Sequence, residues 1–231
     1  MTGDIKRSNS IDETMNDNEI PAGGFSLWLD QTRQKQKTGQ AVDVPCGVCR
    51  ACCTSSYFIH IKPHETKTIS KIPAELMFPA PGLPRGNVLL GYNEKGHCPM
   101  FVDNKCSIYD YRPVTCRTYD CRILAAAGLD LGDDRGLISR QVSRWKFSFN
   151  EKQDLEKYNA VQAAAGFISQ HAASFPAGFI PVNIPQRALM AVKVYEVFMN
   201  MTGDDKNEDR LNPGGKIIKA VIDACEKFER D

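Results

Sequence analysis

CGVCRACC, residues 46–53, places four cysteines in eight positions. The chain of 231 residues holds nine cysteines, and eight of them fall between residues 45 and 122. Apolar content there is thin for the length, so something other than a core is expected to hold the region together. Small cysteine-dense units rely on a metal or on disulfides for this. The candidate explanations are disulfides, a metal ion, an iron–sulfur cluster and redox catalysis.

Compartment narrows the choice. The opening MTGDIKRSNSIDETMNDNEI has no apolar run of the kind a secretory signal needs. No stretch approaches the roughly 20 apolar residues of a membrane span. A cytoplasmic location is therefore expected, where structural disulfides are rare and clustered thiols serve metals or catalysis. A single Cys-x-x-Cys of the thioredoxin kind explains little here, because no βαβ pattern surrounds it and too many thiols are left over. With a net charge of +1, no global field points to nucleic acid or to a membrane surface. A protein partner or substrate is the expected company, and oligomeric state stays open.

The eight cysteines fall into two groups in sequence: Cys46, Cys49, Cys52 and Cys53, then Cys98, Cys106, Cys116 and Cys121. All eight are candidate metal ligands. Cys-x-x-Cys bends back so that both sulfurs reach one cation, which serves zinc and iron–sulfur clusters alike. Zinc wants four ligands per ion, so eight thiolates could hold up to two ions. The run Cys46, Cys49, Cys52 matches the first three ligands of the bacterial ferredoxin pattern. The Cys followed by Pro in that pattern has a counterpart in Cys98-Pro99. Cys52 and Cys53 are neighbours, and neighbouring side chains point apart. That favours two centres over one. Cys225 lies on an apolar helical stripe and reads as an inert core residue.

Cys46, Cys49, Cys52, Cys53, Cys98-Pro99 and the stretch CSIYDYRPVTCR (106–117) together resemble the CxxCxxCC family of zinc- or iron-chelating cysteine-cluster proteins. The resemblance implies that the eight cysteines chelate zinc or iron. The family includes proteins similar to flagellin lysine N-methylases, which implies an iron–sulfur cluster and a methylation-type role on a protein substrate. An iron–sulfur cluster is thus the expected cofactor, with zinc as the alternative. Whether the chain is an enzyme stays open, since no nucleotide or hydrolase motif is present.

Arg50, Lys105, Arg112, Arg117 and Arg122 sit among the thiols. Four thiolates on one zinc carry a formal charge of about −2. Guanidinium groups would offset it and donate to sulfur, so Arg112 and Arg117 are candidate cofactor-binding residues. His97 is a possible extra ligand. Tyr109 and Tyr111 read as packing residues.

An α+β fold is expected: a small metal-clasped module with short strands, then a packed helical half. Residues 1–24 read as a disordered tail, 25–150 as the cysteine module and 151–231 as the helical extension. Within the module a helix is expected over 25–37, capped by Ser26 and anchored by Phe25, Leu27, Trp28 and, less firmly, Leu29. Strands are expected at 57–61 and 87–92, with a loop at 78–86 between them. A hairpin turning at Asp103-Asn104-Lys105 is expected over 98–109, a short helix after Pro113, and a strand near 140–150. Three-and-four-residue periodicity predicts helices over 153–173, 186–200 and 214–229.

Overall fold

The computed structural model describes residues 19–42, 44–132, 136–199 and 215–230. The fold is α+β. In chain order the elements are β1 (Ile20–Gly24), α1 (Phe25–Thr38), β2 (Ile59–Ile61), α2 (Thr66–Ile69), β3 (Met77–Pro79), β4 (Val88–Leu90), β5 (Phe101–Val102), β6 (Lys105–Cys106), α3 (Val114–Thr118), α4 (Arg122–Ala127), α5 (Gly136–Arg144), β7 (Trp145–Ser148), α6 (Lys152–Gln170), α7 (Ile184–Met199) and α8 (Lys216–Arg230). None of these helices is long and apolar enough to cross a membrane.

The main core is helical. It gathers Phe25, Trp28 and Leu29 of α1 with Leu124 of α4, Val161, Ala165 and Ile168 of α6, Val192 of α7 and Val221 of α8. Small residues let α6 and α7 approach closely: Ala160, Ala164 and Ala165 on α6 meet Ala188 and Ala191 on α7, all buried. The expected boundary near residue 150 does not divide this core, because α1 and α4 belong to it. Ile168 is fully buried, so Ile168→Ala is expected to cost about 2–5 kcal/mol in a urea melt.

A second, smaller core sits under a three-stranded antiparallel sheet of order β2–β4–β3. It holds five buried residues, Ile59, Ile61, Ile72, Leu90 and Ile108. Strands β2 and β4 fall where alternation predicts them, shortened to three residues each. Strand β3 occupies the start of the expected Pro/Gly loop: Phe78 pairs with Leu89, and Pro79 sits at the strand's end on an edge.

Several expectations need correcting. Residues 1–18 of the expected tail lie outside the described residues, but Ile20–Gly24 is a strand, paired in parallel with β7. The strand near 140–150 starts late, because α5 runs to Arg144 and only Trp145–Ser148 is extended. Helix α1 is capped by Gly24 rather than Ser26, whose hydroxyl instead donates to Asp154. Asp154 in turn closes a capping box with Glu151 at the start of α6. These acceptor bonds, the Ser26 hydroxyl first, hold its carboxyl below the usual range. Leu27 is 65% exposed while Leu29 is fully buried, the reverse of their expected weight. The periodic helices appear within two residues of their expected starts.

Candidate metal centre

All eight clustered cysteines, and Cys225, are free thiols. They are carried on short elements that tertiary contacts hold in place. Cys46 and Cys49 close a tight turn, with the Cys49 N–H donating to the Cys46 carbonyl at 3.0 Å. Ala51 then enters the helical core, 4% exposed, and anchors a turn of 3-10 helix over Ala51–Cys53. This turn sends Cys52 and Cys53 in different directions.

The segment bearing Cys98 is laid beside the first loop. The Cys98 N–H donates to the Cys53 carbonyl (2.8 Å), and the Ser56 N–H donates to the Gly96 carbonyl (2.9 Å). Gly96 has φ +76° and passes so near Ser56 that a Cβ would strike its hydroxyl, so the crossing needs glycine. Cys106 ends the hairpin at β6, where Asp103 and Asn104 both take positive φ, 50° and 58°. That is the two-residue turn whose twist suits a hairpin. Arg50 fastens the first loop to this turn, its Nε donating to the Asn104 carbonyl at 2.8 Å.

Cys116 rides on α3. Buried Glu65 holds the start of that helix: its carboxylate accepts the Val114 N–H at 2.6 Å and the Lys62 N–H at 2.8 Å. Thr115 adds a bond from its hydroxyl to the His60 carbonyl, 2.7 Å. Cys121 directly precedes α4 and accepts a hydrogen bond on Sγ from the Trp145 indole, 3.2 Å. Cys116 thus sits on α3, and Cys121 lies just past it at the start of α4.

These placements sort the thiols into two sets. Cys52 lies in the field of Cys121, Cys49 and Cys46 ahead of its neighbour Cys53; burial and this company push it well up. Burial pushes Cys121 up to about 12, with Cys46 and Cys49 adding to it against the lowering Trp145 bond. Burial also raises Cys46, and Cys49 raises it further. Cys53 is pushed to about 11 by burial, then by Cys98 and Cys106 ahead of Cys49. Cys116 reaches about 12 through burial and then Cys98, Cys53 and Cys106. One set is therefore Cys46, Cys49, Cys52 and Cys121; the other is Cys53, Cys98, Cys106 and Cys116. The first borders the helical core and the β1–β7 pair. Three members of the second pack against the small sheet.

Thiols that raise one another by crowding are groups that a cation would relieve, and four soft sulfur donors per set suit zinc or iron. Among the described residues no three His, Cys, Asp or Glu side chains yet converge on one point as a bare ion requires. The donor chemistry of the two sets fits a metal.

Residues 45–130 match the family model described as "Putative zinc- or iron-chelating domain". They belong to the CxxCxxCC family. No curated protein and no solved structure matches the chain. The CxxCxxCC domain chelates zinc or iron, and it spans both thiol sets, the small sheet and α4.

The charges around the CxxCxxCC thiols divide unevenly. Arg50 lowers both Cys46 and Cys53, so it stands between the sets. Arg112 lowers Cys116 while its guanidinium packs over the Tyr109 ring, 3.6 Å from the centroid. Tyr109 and Tyr111 are exposed, so their expected packing role reduces to such ring contacts. Arg122 lowers Cys46 and is held by Asp120 (2.8 Å). Arg117 faces elsewhere, into cavities behind α3. The His97 ring packs edge-on against Phe101. Trp145 is the partner that spacing could not reveal, since it meets Cys121 only through the fold.

Proposed function

We propose that this chain is an iron–sulfur protein in which Cys46, Cys49, Cys52 and Cys121 hold a cluster and Cys53, Cys98, Cys106 and Cys116 hold a second metal centre. The observation that carries this reading is the company of the triplet. Three cysteines at two-residue gaps share their surroundings with one remote cysteine, which is the ligand economy of ferredoxin-type sites. In two-cluster ferredoxins the next cysteine of the run serves the other cluster, and here Cys53 and Cys98-Pro99 both go to the other set. Cys121, not Cys98, completes the triplet. The indole N–H on Cys121 is the kind of donor that tunes a cluster thiolate.

A cluster would supply electron transfer or help a methylation-type reaction on a protein substrate. The chain's own residues would bind and tune it: Arg50 and Arg112 offset thiolate charge, and Trp145 donates to sulfur. Protein purified without oxygen is expected to be brown, absorbing broadly near roughly 400 nm, with iron and sulfide in near-equal amounts. A colourless protein with stoichiometric zinc would overturn the cluster.

The thin core under the small sheet favours a second reading, a zinc-stabilised interaction module without catalysis. In either case the two sets are separable. Cys121→Ser and Cys116→Ser are each expected to remove the metal of their own set and leave that of the other, read by elemental analysis. If either change strips all of it, the division into two sets is wrong.

A further inference from the structure

Arg117 borders two cavities on the far side of α3, of about 350 Å³ and about 240 Å³, which share it with Lys67 and Thr68. Its Nε is buried and has no hydrogen-bond partner. The buried Nε fixes the Arg117 side chain against the protein, and its guanidinium still lines both cavities. The smaller cavity is bordered by three cations, Lys67, Arg112 and Arg117, against one carboxylate, Asp110. That surplus of two charges (three minus one) matches a phosphate, which carries about −1.5 to −2 near neutral pH, better than a carboxylate. Two guanidinium groups supply the forked donors that phosphate oxygens take. In the larger cavity the carboxylate of Glu65 is already engaged, since both its oxygens accept backbone N–H groups. The rest of that cavity, with His64, Thr66 and Val114, offers mixed polar and apolar walls.

We infer that these paired cavities bind the phosphate group of a small molecule, with Lys67, Arg112 and Arg117 on the phosphate in the smaller cavity. The larger one takes the organic part. The site shares Arg112 with the second thiol set, since that guanidinium also lowers Cys116.

The test is calorimetric titration of the full-length, metal-loaded protein with inorganic phosphate, glycerol phosphate and acetate. Saturable binding of phosphate but not acetate is expected. Lys67→Gln and Arg117→Gln should each weaken it about tenfold or more, the loss of one charge-assisted bond. Arg85→Gln, at an exposed position outside both cavities, should leave it unchanged. Tighter binding of glycerol phosphate supports a phosphorylated small molecule, and equal binding overturns the larger cavity's part in the site. Lys67 is exposed, so Lys67→Gln decides the matter even if Arg117→Gln fails to fold. Absence of saturable phosphate binding, equal binding of acetate, or wild-type affinity in Lys67→Gln overturns the proposal.

Discussion

Removing the metal is expected to unfold the sheet side of the CxxCxxCC domain while the helices stay folded. The two cores explain why. Among the described residues the helical core holds twenty-five buried residues, twenty-three of them from α1 and α4 through α8 with Ala51 and Phe175 beside them, and the sheet core holds five. Strands β2, β3 and β4 have three residues each, and β5 and β6 have two. Hairpins and ribbons of that length do not stand alone in water. What gathers them is the second thiol set, with Cys53, Cys98, Cys106 and Cys116 coming from four separate segments. Structural metal supplies on the order of 10–16 kcal/mol in small zinc peptides, more than enough to decide whether such a layer exists. Hydrogen exchange should therefore show backbone protection in residues 57–61, 88–90 and 98–106 falling at least about a hundredfold after chelation. Protection in α6 and α7 should change little. Loss of helicity throughout would mean that the metal holds the whole chain, and unchanged strands would mean that the small core suffices.

The same division shows what the sequence could and could not disclose. Helices α6, α7 and α8 were legible because their buried residues recur at helical spacing, as with Ile218, Val221, Cys225 and Phe228. The eight cysteines were legible by count and spacing. Their partition was only half legible. The neighbours Cys52 and Cys53 signalled that the thiols would divide, because adjacent side chains diverge. Which remote cysteine joins which set depends on where α3 and α4 lie, and those placements rest on Glu65, Ala51 and Asp120. None of these three carries a local signal. Strand β1 was missed for a related reason: IPAGG has no strand pattern, and pairing with Trp145–Ser148 supplies its extended form. Alternation over 140–150 misled because Trp145, Phe147 and Phe149 alternate while the residues before them complete α5. Arg117 carried no sign of its cavity, since it sits beside Cys116 in sequence and turns away from the thiols in space.

Asp120→Asn is expected to destabilise the metal-loaded protein by about 3 kcal/mol or more. Asp120 is 6% exposed and carries the only buried ion pair among the described residues, with Arg122 at 2.8 Å. Its carboxylate accepts the Arg122 Nε at 2.9 Å and 3.0 Å, the Arg122 backbone N–H at 3.0 Å, and the Trp28 indole N–H of α1 at 3.0 Å. Arg122 passes the linkage on to β1 through the Ala22 carbonyl, 3.2 Å. One carboxylate thus joins α1, α4 and β1 at the residue preceding Cys121. Asparagine keeps an acceptor oxygen but removes the charge that faces the buried Arg122 guanidinium. Breaking such a pair from one side costs about 3–5 kcal/mol, whereas replacing both partners by apolar groups is often mild. Asp120→Leu combined with Arg122→Met should therefore recover part of the loss in urea melts. Metal content must be measured alongside, because the site adjoins Cys121. If Asp120→Asn keeps its metal and loses under about 1 kcal/mol, the pair is exchanging with water and does not brace the first thiol set. If the double replacement is as damaging as the sum of its parts, the linkage works through packing of the two side chains rather than through their charges.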